Sequence, residues 1–173
     1  MVDVVAASRG CFQEVLPRGK NVYFLSDERE PSLQREALSR AMAAMLPGME
    51  AVRYPDWASL LERWWRDAPE GTVLALDEFP YLAKASPELP SVLQRLIDQN
   101  RSRRLHLVLC GSSQRMMQGL VLDASAPLYG RARQLPFADS YERVDTCLFV
   151  AQAASAKMAS KVVSATDVLP VCD

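Results

Sequence analysis

The sequence predicts an α/β fold, a three-layer αβα sandwich in which helices cover both faces of a parallel sheet. Three apolar segments, Asn21 to Ser26, Thr72 to Leu76 and Leu105 to Cys110, alternate with stretches of helical periodicity, the pattern of strands joined by helical crossovers. The middle segment is a continuous apolar run rather than an alternating one, as expected of a strand buried on both faces. It ends in two adjacent carboxylates, Asp77 and Glu78.

The elements follow in order. After the first strand, Pro31-Ser32 opens a helical pattern through Leu33, Ala37, Leu38, Ala41, Met42 and Met45, closed by Pro47-Gly48. One apolar stripe suits it to covering a sheet face. A second helix runs from about Trp57 to Ala68, with Trp57, Leu60, Leu61 and Trp64 at i, i+3, i+4 and i+7, a spacing that makes the tryptophans core. Ser86-Pro87 has the form of an N-cap and first-turn proline, opening a helix with Leu89, Val92, Leu93, Leu96 and Ile97 on one side. The third strand ends in Gly111-Ser112-Ser113, and Gln114 to Leu122 reads as helical. Beyond Phe137 the composition shifts toward Ala, Ser and Val with weak periodicity. The expected organisation is an unassigned segment 1–20, a core 21–137 and an Ala/Ser/Val-rich tail 138–173, for which a helix is one reading.

Composition sets bounds on function. With 173 residues, 49% hydrophobic and 24% charged, the chain has the apolar material of one globular domain. Lys and Arg total 20 against 21 Asp and Glu, so nothing draws the whole chain toward nucleic acid or a membrane surface. The cluster Arg101-Ser-Arg-Arg104 reads as a solvated turn. The cysteines, Cys11, Cys110, Cys147 and Cys172, are too far apart for a zinc or redox motif, and His106, the single histidine, has no companion ligands. Asp3 stands where a signal peptide would be basic, and Leu148 to Met158 contains Gln152 and Lys157, so neither end reads as a leader or a span. These features lead us to expect a cytoplasmic protein.

Asn21-Val-Tyr-Phe-Leu-Ser26, Leu76-Asp-Glu-Phe-Pro-Tyr-Leu82, Pro87-Glu-Leu-Pro90, Leu109-Cys-Gly-Ser-Ser113 with Met116-Met117, and Pro127-Leu-Tyr-Gly-Arg131 together resemble the archaeal-type ATPase family of AAA-like P-loop NTPases. The resemblance covers about Asn21 to Phe137. It implies ATP and Mg²⁺ as ligands, Asp77 as the acid near the metal and Glu78 as the base that activates water. Ser112 or Ser113 would occupy the sensor position, and Arg131 would be the cation facing the phosphoryl oxygens. Taken alone, Asp77-Glu78 reads rather as a buried strand reaching solvent, and Arg131 equally as a surface arginine after Gly130. The likeness also implies a short strand near Arg133 to Phe137, and a β-edge at Leu105 to Cys110 unless Val2 to Ala7 fills it.

The departure from that pattern is large. A phosphate loop needs Gly, four residues, then Gly-Lys-Ser or Gly-Lys-Thr, so that successive backbone N–H groups wrap the phosphates. The chain's single Gly-Lys is Gly19-Lys20, followed by Asn21, with Val15 in place of the first glycine and Pro17 removing a donor. It reads as a turn. The expectation is a partial or degenerate ATP-binding domain, inactive alone and cut at both ends as in a truncated or frame-shifted gene or a fragment. The alternative is a non-catalytic protein-interaction module on the same scaffold. Expected partners are weakly bound ATP, a protein partner or a second copy through an exposed strand edge; nucleic acid is disfavoured.

Overall fold

The computed structural model describes residues 19–103, 105–111, 114–121, 123–134 and 147–151. It is a mixed α/β structure. Among the described residues the strands are β1 (Asn21–Leu25), β2 (Val73–Asp77), β3 (His106–Gly111), β4 (Ala132–Gln134) and β5 (Cys147–Ala151). Among the described residues the helices are α1 (Pro31–Ala43), α2 (Trp57–Asp67), α3 (Phe79–Ala85), α4 (Leu89–Gln99) and α5 (Gln114–Val121).

The five strands form one sheet in the order β1-β2-β3-β5-β4. β1, β2 and β3 are parallel, with Val22 beside Leu74 and Phe24 beside Leu76, and Leu74 and Leu76 beside Leu107 and Leu109. These six side chains are buried on one face. On the other face Val73, Ala75, Val108 and Cys110 are also buried, which is why β2 and β3 are apolar without alternation. β1 instead alternates between buried and half-buried residues.

The expectation of a purely parallel sheet is corrected by β5, which pairs antiparallel with β3 from Leu107 opposite Ala151 to Gly111 opposite Cys147. β4 pairs antiparallel with β5 in turn. The place beside β3 that was expected to be empty, or filled by Val2 to Ala7, is therefore taken by Cys147–Ala151, residues of the C-terminal segment. β3 is not an edge. Val2 to Ala7 and residues 152–173 lie outside the described residues.

Local signals account for most of the helices. The Asp56 carboxylate accepts the Ser59 N–H at 2.7 Å and caps α2, whose Trp57, Leu60, Leu61, Trp64 and Trp65 are buried. α2 packs against both α1 and α4. Ser86, expected to cap the following helix, instead ends α3, a short helix that the sequence reading passed over. Its hydroxyl accepts the Trp57 indole N–H at 2.7 Å, and α4 begins three residues later at Leu89 with Pro90 in its first turn. In α1 the apolar pattern included Leu33, yet Leu33 is 50% exposed and Gln34 is fully buried. The Gln34 amide accepts the Asp27 N–H at 3.2 Å and donates to the Asp27 carbonyl at 2.9 Å. A buried polar side chain is tolerated there because it replaces water for the loop after β1.

Candidate functional site

In open α/β sheets, ligand sites lie beyond the carboxyl ends of parallel strands, where the backbone leaves the ladder. That end carries Ser26 and Asp27 after β1, Asp77 as the last residue of β2 with Glu78 following it, and Gly111 at the close of β3. The Ser26 N–H donates to the Asp77 carbonyl at 2.9 Å, extending the β1–β2 ladder to its last residues. Asp77 and Glu78 are thus at the predicted end of the sheet, both half-buried.

The Asp77 carboxylate is engaged on both oxygens. Oδ2 accepts the Tyr23 hydroxyl at 2.5 Å and Oδ1 accepts the Glu78 backbone N–H at 2.9 Å. The register explains the first bond: Leu25 lies beside Asp77, and Tyr23, two residues earlier on the same face, reaches diagonally across the pair. Tyr23 is the residue that sequence reasoning missed. Its signal was present, because aligning two parallel strands in register places a tyrosine diagonal to the acid.

Glu78 has φ 52° and ψ 40°, and among the described residues it is the non-glycine residue with positive φ. A left-handed conformation at a residue with a Cβ costs about 1–2 kcal/mol. It turns the chain sharply from β2 into α3, where the Tyr81 N–H closes onto the Glu78 carbonyl at 2.9 Å. Pro80 then packs on the end of β3, where a Cβ on Gly111 would lie 2.7 Å from the proline Cγ and Cδ. Gly111 is needed for that approach. Cys110, beside this end, is fully buried; burial and, to a lesser degree, the negative charges of Asp77 and Glu78 push its thiol well above the ordinary range. It stays a neutral thiol, not a nucleophile.

Arg131 is elsewhere. Its guanidinium grips Asp98 near the end of α4, with Nη2 donating to Oδ2 at 2.7 Å and Nε to both carboxylate oxygens at 3.0 and 3.1 Å. Nη1 also donates to the Tyr129 carbonyl at 3.1 Å. Its neighbour Ala132 is level with Ala151, which is level with Leu107 near the start of β3. The structure therefore puts Arg131 at the opposite end of the sheet from Asp77 and Glu78 and does not bring them together. Ser112 and Ser113 lie outside the described residues. His106 is buried at the start of β3, and Arg103 in the basic cluster donates to the Ala68 carbonyl at 2.7 Å, so part of that cluster serves a turn.

Gly19 and Lys20 lead directly into β1, with Gly19 at φ 74° and the Lys20 carbonyl accepting the Val73 N–H at 2.9 Å. That carbonyl already belongs to the ladder. Among the described residues no group of three or more His, Cys, Asp or Glu side chains converges, and both Asp77 oxygens already accept hydrogen bonds. Without nucleotide phosphates, one or two carboxylates hold Mg²⁺ only weakly. Among the described residues no helix is long and apolar enough to cross a membrane.

No protein-family model matches the chain, and no solved structure matches it. Among curated proteins it is similar to "Uncharacterized protein MJECL04" of Methanocaldococcus jannaschii, with 40% identity over 60 residues. That alignment takes in 34% of this chain and 14% of the relative's length. These findings overturn the resemblance to the archaeal-type ATPase family: no AAA-like or P-loop family matches, no solved P-loop fold matches, and the relative's name carries no activity.

Proposed function

We propose that this chain is a catalytically silent α/β domain that acts by binding, in which the acid at the end of β2 is a structural post. The observation that carries the reading is the double engagement of Asp77 by Tyr23 and by the Glu78 N–H. A carboxylate that closes one strand onto its neighbour and caps the following turn is spent on the fold. The burial of both faces of β2 and β3 supports a three-layer αβα arrangement around the parallel block. On this reading ATP binds weakly and is not turned over, because phosphoryl transfer depends on positioning and charge neutralisation, and the cation Arg131 is held by Asp98 at the far end of the sheet.

The test is phosphate release by the purified wild-type and Glu78→Gln chains with Mg²⁺-ATP, alongside calorimetric titration of the nucleotide. The expected result is equal background release from both chains. Turnover in the wild type that disappears in Glu78→Gln would overturn the proposal. Weak nucleotide binding without turnover supports a degenerate nucleotide site. No heat of binding supports a protein-interaction module on the same scaffold.

A further inference from the structure

We draw no further inference here: the strongest candidate, the buried Ser26 hydroxyl without a hydrogen-bond partner among the described residues at the carboxyl end of β1, falls by strand alternation on the Val22 and Phe24 face while the Asp77 carboxylate falls on the Tyr23 face, so nothing in the structure shows a ligand that the two would share.

Discussion

Tyr23 and Asp77 are 54 residues apart in the chain, yet their side chains meet because parallel pairing sets Leu25 beside Asp77. A hydroxyl donating to a carboxylate in a half-buried setting stabilises by about 1–2 kcal/mol. Tyr23→Phe should therefore lower stability by roughly that amount in urea unfolding, with no change in the slope of the transition. An unchanged midpoint would remove the case for Asp77 as a post. Glycine offers a sharper contrast. Gly111→Ala drives a methyl against Pro80 and the Met117 side chain, and overpacking of that kind costs about 1–3 kcal/mol. Gly119, in α5, has nothing within 4 Å of its added Cβ, so Gly119→Ala should stabilise by up to about 1 kcal/mol through helix propensity. Thermal denaturation of the two variants should move in opposite directions.

Between elements, the Asp98 and Arg131 pair ties the end of α4 to the residue that leads into β4. Hydrogen bonds from Arg131, and then from Arg101, hold the Asp98 carboxyl below its ordinary value of 3.8. The sign follows from linkage: a lowered folded-state pKa contributes stability above the unfolded value, lost as pH falls through the folded one. Asp98→Asn should thus cost about 1 kcal/mol near neutral pH, reduced because both side chains are partly exposed, and the difference from wild type should close below about pH 4. Equal pH dependence for the two proteins would show that the pair contributes nothing. The elements themselves were largely legible. Apolar spacing located α2 to within a residue, because a helix that packs on a core writes its period into the chain, and Gln114 to Leu122 reads as helical where α5 stands. α3 was missed because seven residues beginning Phe79-Pro80 hold too few turns for a period to emerge, and they follow a strand without a spacer.

For the whole molecule, the decisive feature is β5. The self-association expected from an open β3 loses its cause, since β3 is paired on one side by β2 and on the other by β5. The same geometry predicts where that hazard lies dormant. A chain ended at Thr146 would leave the apolar β3 with an unpaired edge and remove the partner of β4, whereas one ended at Gln152 would keep both ladders. Light scattering and size exclusion should show the shorter chain aggregating and the longer one not. If both behave alike, the antiparallel pairing is not what protects the sheet.

The sequence by itself determined the parallel block: three apolar runs separated by helical patterns leave little choice, because right-handed helical crossovers bring consecutive strands side by side in one direction. It also placed Asp77 and Glu78 at the carboxyl end, since a strand's direction decides which end its last residues occupy. Tertiary structure alone decided what those residues do. Whether an acid faces a ligand or a tyrosine depends on the register between strands, and whether an arginine meets a phosphate or Asp98 depends on which end of the sheet its strand begins. Neither is written in local periodicity. The place of Cys147–Ala151 was hidden for the same reason: five apolar residues fit a strand or a helix equally, and the pairing that chose between them is with β3, some forty residues earlier.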